Sequence, residues 1–575
     1  MTRERVSGER GAAEWRLLRA CARTRLGTQH SERMRRLLHE RIDWTRFISE
    51  VSRHRIEPLA KQNLCTTCRE TIPAAVRTSL ESLATPKNVE ALRNVGQALQ
   101  LIGLFESAGL TAIPYKGPAL AAMAYGDLAL RSFADAEFVV PQRDLTAAAR
   151  LLIDRGYQAG PDPTAVGEMR FQERFHPNQY CFWTHSNMVP VKLHTENTFR
   201  YLPRPLDWAG MERRSVRVTI GGREVRAFSA EDTLVLLAVH GTRHYWERLC
   251  WVCDIAELAQ AQPRLDWERS EKLAHQAGCG RMWLLGISLA KGLLDAPVPP
   301  AVHNWIGSDK HVTQLHREVE GRLTGKIRTV RSAPTKFSFR LRSYERFGVG
   351  IRQCLRTATH ATEEDRYACQ LPDYALPLYR ILRPARLLFE HGLGIRPRPL
   401  PDLATYIPTP HRTIDGVLRF AALKPGDMLY DLGCGDGRIV IAAAERFGVH
   451  AVGIDIDARR IAEARSNARR SGVEHLVKFR QEDALSTDLG PATVVNLYLS
   501  ASGTLALSKK LQTELRPGAR IISRDAVIAG WNPSRTKEIC AESTNQTSTL
   551  YEWCIPARPD DRSTEDSSSV EELTV

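Results

Sequence analysis

At 575 residues the chain is too long for one ordinary hydrophobic core, and its length predicts roughly two to four domains. A hydrophobic fraction of 43% with 25% charged residues excludes a disordered or fibrous class, and no apolar run approaches the ~18 residues that a membrane span needs. The net charge of +14 admits an acidic partner, nucleic acid included. Lys and Arg are nevertheless spread along the chain rather than gathered in one patch interleaved with aromatics, so nothing indicates nucleic acid.

The first 25 residues mix Arg and Glu without a continuous apolar segment, which does not read as a secretory signal, and a cytoplasmic protein with a disordered start over 1–13 is expected. ERMRRLLHERIDWTRFISEVSRHRI and PKNVEALRNVGQALQLIGLFESAG repeat apolar residues every three or four positions and predict helices. TAIPYKGPAL then reads as a short buried strand ending in a Lys116-Gly117 turn, ADAEFVVP as a second strand, and VPVKLHTEN as a third. Helical patterns resume at AEDTLVLLAVHGTRHYW and continue to about residue 293. Asp135 and Glu137 stand at i and i+2 on the second strand, on one face, an arrangement that can hold divalent metal for phosphoryl transfer. His240 and His244 have a zinc-compatible helical spacing with only Asp254 nearby, and packing is the plainer reading. Two Cys-x-x-Cys pairs, Cys65/Cys68 and Cys250/Cys253, lie too far apart for a zinc ribbon. The second sits in the apolar run LCWVCDIAELA and reads as small buried hydrophobes.

In order, IDWTRFISEVSRHRIEPLA, YKGPAL, LRSFADAEFVV, VKLHTEN, HGTRHYWERLCWVCDIAEL and PLYRILRPARLL resemble the large, poorly characterised bacterial nucleotidyltransferase-like family over residues 14–392. The resemblance implies an α+β domain with a small mixed sheet like that of DNA polymerase β set among helices. It also implies Asp135 and Glu137 as ligands of Mg²⁺, and Lys116 and Gly117 beside the phosphates of an NTP. The chain departs from the pattern twice. Glu137 stands where Asp is usual, and the third strand reads Val191-Lys192-Leu193-His194, with an ammonium where the third carboxylate belongs. A positive charge ~4 Å from a metal ion opposes its binding. Two readings follow for this half: a working Mg²⁺/NTP-dependent nucleotidyltransferase, or a non-catalytic module that recognises a nucleotide, nucleic acid or acceptor protein.

RPRPLPDL marks a Pro-rich linker at 393–404. Beyond it, strands alternate with helices over 405–556, the pattern of a parallel, Rossmann-like doubly wound α/β sheet. MLYDLGCGDGRI places Asp431 at the end of a buried strand, then Gly433, Gly435 and Gly437, then a helix. Such a turn lets backbone N–H groups approach a ligand. Its G-x-G-x-G spacing and preceding carboxylate suit a ligand bearing an ammonium and would repel a pyrophosphate, which argues against a NAD-dependent dehydrogenase. Asp455 closes the second strand (HAVGIDID), where a carboxylate can accept from both ribose hydroxyls, and Asp483 follows the third (VKFRQEDAL), suited to an adenine amino group. The fourth strand, ATVVNLYL, brings Asn496 and Tyr498 to the same mouth. The tail, 557–575, is rich in Asp, Glu and Ser and is expected to be disordered.

Together YDLGCGDGRIVIAAA, VGIDID, QEDAL, ATVVNLYL and ELRPGARIIS resemble the class I S-adenosylmethionine-dependent methyltransferases. YIPTP and NLYL narrow the resemblance to the branch of the mitochondrial ATP-synthase c-subunit lysine methyltransferase and its bacterial relatives. More distantly they are similar to the histone lysine methyltransferases that lack a SET domain. The resemblance implies S-adenosylmethionine as cofactor, Thr409 closing over its methionine end, and Asp431, Gly433, Gly435, Gly437, Asp455 and Asp483 around it. It points to a protein lysine as methyl acceptor, with a small molecule or nucleic acid left open. Asn496 and Tyr498 are then the residues placed to orient a neutral amine.

Overall fold

The computed structural model describes residues 12–133, 135–159, 179–183, 190–197, 202–325, 333–360, 365, 371, 373–392, 411–499, 501–528, 531–541 and 546–556. It divides into two units, Met1–Arg396 and Pro397–Val575.

In the N-terminal unit the first long helical pattern resolves into two helices, Thr28–Leu38 and Trp44–His54. The break is local chemistry: the Asp43 carboxylate caps the second helix by accepting from the Arg46 N–H at 3.0 Å. The next helix, Ala74–Ser107, begins well before Pro86 and runs through it. A proline removes one backbone hydrogen bond from a helix interior, but Leu80, Ala84, Ala91 and Val95 bury apolar surface on both sides of it. Five strands form one mixed sheet: β1 (Ile113–Pro114), β2 (Ala136–Val139), β3 (Gln158–Ala159), β4 (Gln179–Trp183) and β5 (Val191–His194), in the order β1-β2-β5-β4-β3. Only β2 and β5 run parallel, with Glu137 opposite Lys192. A separate hairpin, β6 (Val216–Ile220) and β7 (Arg223–Ala227), turns through Gly221 and Gly222, both at positive φ. Helices Ala230–Arg243, Leu249–Ala261 and Gly280–Leu294 carry much of the core, Trp246 and Trp283 being its largest fully buried side chains.

The C-terminal unit is built on seven strands: β8 (Met428–Leu432), β9 (His450–Asp455), β10 (Val477–Gln481), β11 (Val494–Leu497), β12 (Arg520–Arg524), β13 (Arg535–Ala541) and β14 (Gln546–Cys554). Their order is β10-β9-β8-β11-β12-β14-β13. The first five are parallel, and β14 and β13 close the sheet antiparallel. Separate apolar clusters fill the two faces. Val440 and Ala443 of the helix after β8 belong to one, and Leu507 and Leu511 of the helix after β11 to the other. The chain winds outward from β8 to β10, then returns to β11 on β8's other side. The crevice at the carboxyl end of β8 is therefore the topological switch point, where such sheets bind ligands. No helix among the described residues is long and apolar enough to cross a membrane.

Candidate active site

Backbone geometry shapes the mouth of the C-terminal sheet. After β8 the chain takes positive φ at Gly433, Gly435 and Gly437 (87°, 57° and 80°). At Gly437 a Cβ would also lie 2.7 Å from the Phe479 ring and 2.9 Å from the Ala464 methyl, so both conformation and space require glycine. The Gly433 and Cys434 N–H groups donate to the Ile454 carbonyl at 2.8 and 2.9 Å, tying the turn to the end of β9. The Gly435 N–H donates to Asp455 Oδ2 at 2.9 Å, and the Asp457 N–H to Asp455 Oδ1 at 2.9 Å. Asp455 thus presents a carboxylate held rigid by backbone donors.

Asp431 is 3% exposed. Asn496, its register neighbour on β11, donates Nδ2 to its Oδ1 at 2.7 Å. Burial pushes the Asp431 carboxyl up to about 7, with the Asp455 and Asp436 carboxylates adding to the rise and the Asn496 bond opposing it. Asp483, past the end of β10, accepts from the Leu485 N–H at 2.9 Å. Among the described residues none of Asp431, Asp455 and Asp483 forms an ion pair, whereas neighbouring Asp436 is taken by Arg438. Among the described residues, therefore, no cation is paired with the carboxyl groups of this crevice, which leaves them open to a cationic ligand. Tyr498 lies just beyond β11 with the Arg524 guanidinium 3.5 Å from its ring centroid. Arg524, at the end of β12 and 7% exposed, also pairs with Asp525 at 3.5 Å and was not singled out from the sequence. The signal was RIISRD, a short apolar strand that ends on Arg524. Thr409 lies outside the described residues.

The N-terminal carboxylates are satisfied differently. Lys192 Nζ is 2.5 Å from Asp135 Oδ2 and 3.6 Å from Glu137 Oε1. Lys116, which follows β1 with φ of 61°, sets its Nζ 3.1 Å from Glu137 Oε2 and donates to His240 Nδ1 at 3.3 Å. Gly117 is buried and opens the short helix Gly117–Leu120. Burial would raise the Glu137 carboxyl, but the adjacent charges, Lys116 foremost, hold it well below the usual carboxylate range. Burial pushes His194, 3.8 Å from Glu137, down to about 4 despite that carboxylate. His240 and His244 stack near each other and Trp251, while Asp254 accepts bidentately from Arg131 at 2.7 and 2.9 Å and from the Tyr125 hydroxyl at 2.7 Å. Asp254 is therefore engaged away from a zinc site. Among the described residues no group of three His, Cys, Asp or Glu could hold a metal ion. Cys253 is buried, and burial raises both the Cys250 and Cys253 thiols, as expected of packed cysteines.

A doubly wound sheet with a glycine turn after its central strand and carboxylates at three consecutive strand ends defines the C-terminal unit as a class I S-adenosylmethionine-dependent methyltransferase. The model of the ANTKMT methyltransferase domain matches residues 431–535, and that of an uncharacterised nucleotidyltransferase family matches residues 40–295. A protein-lysine N-methyltransferase of Saccharolobus islandicus is 39% identical over 151 residues, which are 26% of this chain and 92% of that protein. The mouse adenine nucleotide translocase lysine N-methyltransferase is 34% identical over 24% of this chain and 61% of its own length. The Xenopus laevis ATP-synthase c-subunit lysine N-methyltransferase is 34% identical over 22% and 56%. An RNA methyltransferase of Salinibacter ruber, solved with S-adenosyl-L-homocysteine, is 43% identical over 26% of this chain and 95% of its own, with a TM-score of 0.25. Through its C-terminal unit the chain belongs to the methyltransferase family of which the Saccharolobus protein is a member.

Proposed function

We propose that the C-terminal unit transfers a methyl group to the side-chain amine of a protein lysine. The observation that carries this reading is the Asp431–Asn496 pair. Asn496 spends its Nδ2 on Asp431 at 2.7 Å, which leaves its Oδ1, without a partner among the described residues, as an acceptor for an N–H. An incoming amine offers that donor, and Tyr498 follows directly after the strand that carries Asn496. The acceptor must arrive neutral to be a nucleophile. Bound S-adenosylmethionine supplies an activated methyl group, so the protein's work is alignment and exclusion of water rather than acid–base chemistry. In this reading Asp431 receives the methionine ammonium, Asp455 the ribose hydroxyls and Asp483 the adenine amino group, with Gly433, Gly435 and Gly437 giving the backbone approach and Thr409 covering the methionine end. The lysine-directed relatives support the choice of acceptor.

The full chain, incubated with methyl-labelled S-adenosylmethionine and extracts containing both protein and RNA, tests it. Label in methyl-lysine, identified by mass spectrometry and lost in Asp455→Ala, is the expected result. Label confined to RNA or to small molecules overturns the choice of acceptor.

A further inference from the structure

The nucleotidyltransferase-like sheet of the N-terminal unit implies a divalent metal ion on Asp135 and Glu137, and the residues do not fit one. Magnesium approaches carboxylate oxygens at about 2.0–2.1 Å and demands a near-octahedral shell. Here an ammonium nitrogen already sits 2.5 Å from Asp135 Oδ2 and 3.6 Å from Glu137 Oε1, in the space the two carboxylates would share around an ion. The other Glu137 oxygen is taken by Lys116 at 3.1 Å. Two carboxylates meet two ammoniums, so the donor set has no net negative charge left to hold a dication. Chain topology makes the arrangement permanent. Parallel pairing of β2 with β5 sets Glu137 directly opposite Lys192, and the residue that should supply a further carboxylate supplies the cation instead.

We propose that Lys192 is a tethered cation standing in for the metal ion, locking β2 to β5 and making the N-terminal unit independent of divalent metal. The ammonium is compact, strongly hydrated when exposed, and sits on a flexible stem that can reach both carboxylates. Unlike a bound ion it cannot be removed by dilution or chelation. The unit accordingly does no metal-assisted phosphoryl transfer, and its carboxylates serve as partners of lysine.

Manganese binding by the full-length protein tests this, read from the electron paramagnetic resonance signal of free Mn²⁺ and from thermal melting. The wild-type chain is expected to show no Mn²⁺ site that depends on Glu137 and no change of melting temperature with EDTA. Lys192→Asp is expected to gain a site at least about tenfold tighter than any in the wild type, abolished by adding Glu137→Gln. Lys192→Asn, a milder change, is expected to melt lower than wild type and to be partly restored by Mn²⁺. A wild-type site lost in Glu137→Gln would overturn the proposal. So would folded Lys192→Asp and Lys192→Asn proteins that both remain blind to Mn²⁺. If neither variant folds, the wild-type titration with its Glu137→Gln control still decides.

Discussion

Each unit of this chain gathers carboxylates of low exposure, and the two collections are satisfied in opposite ways. In the N-terminal unit Asp135 and Glu137 are paired with Lys192 and Lys116, and Asp254 with Arg131. In the C-terminal unit Asp431, Asp455 and Asp483 are held, among the described residues, by N–H donors of an amide side chain and the backbone. An N–H donor fixes a carboxylate's position without cancelling its charge, whereas an ammonium or guanidinium does both. The first arrangement spends its electrostatics on the fold. The second leaves its carboxyl groups without a paired cation, Asp431 answering by holding its proton up to about pH 7, and so keeps them available to a cationic ligand.

Three measurements test this contrast. The largest effect is expected from Asp254→Ala, which leaves the Arg131 guanidinium buried without its bidentate partner. Loss of one member of such a pair costs about 3–5 kcal/mol, so calorimetry of the full chain should show one transition shifted sharply down. S-adenosylhomocysteine affinity should stay nearly constant. An unshifted melting profile would mean that the N-terminal pairs are not structural.

Asp455→Ala should do the reverse. Hydrogen bonds to a charged acceptor contribute about 1.5–3 kcal/mol, so titration calorimetry should find S-adenosylhomocysteine binding weakened roughly 10- to 150-fold. The ligand-free melting temperature should fall less than in Asp254→Ala, because the Gly435 and Asp457 N–H groups that lose their acceptor are part-buried and can turn to water. Unchanged affinity would remove Asp455 from the ribose site.

The smallest effect is on pH dependence. Asp431 has its carboxyl raised from 3.8 to about 7, so it is largely protonated below that point in the ligand-free protein. A methionine ammonium needs it ionised. Affinity for S-adenosylhomocysteine should therefore fall between about pH 7 and about pH 6, by at most about tenfold per pH unit. The stability contribution of the same group has the opposite sense: it is complete below about pH 4 and lost as pH rises through about 7. Asp431→Asn should flatten both curves, and an affinity that stays pH-independent in the wild type would contradict the assignment.

Much of the C-terminal site was legible because its signals are local. A glycine turn following a buried strand, with an acidic residue at each strand end, keeps its meaning wherever the sheet sits in the chain. What local patterns missed there was Arg524 over Tyr498, because that contact joins neighbouring strands separated by a helix. Also missed was the β13–β14 hairpin, whose antiparallel pairing departs from the alternation before it. In the N-terminal unit local patterns misplaced the start of the helix through Pro86 and passed over the β6–β7 hairpin, although Gly221-Gly222 between two alternating runs is a turn signal. Strands β3 and β4 went unread as well.

The sequence alone determined the chemical identity of the two carboxylate groups, since residue types and their order along strands set which charges can reach a sheet's edge. It also flagged Lys192 as a foreign charge among metal-ligand positions. Only the tertiary structure decided which charge cancels which. Whether Lys192 meets Asp135 and Glu137, or Arg131 meets Asp254, depends on pairings between residues far apart in the chain, and at contact distance those pairings determine whether a carboxylate holds the fold or awaits a ligand.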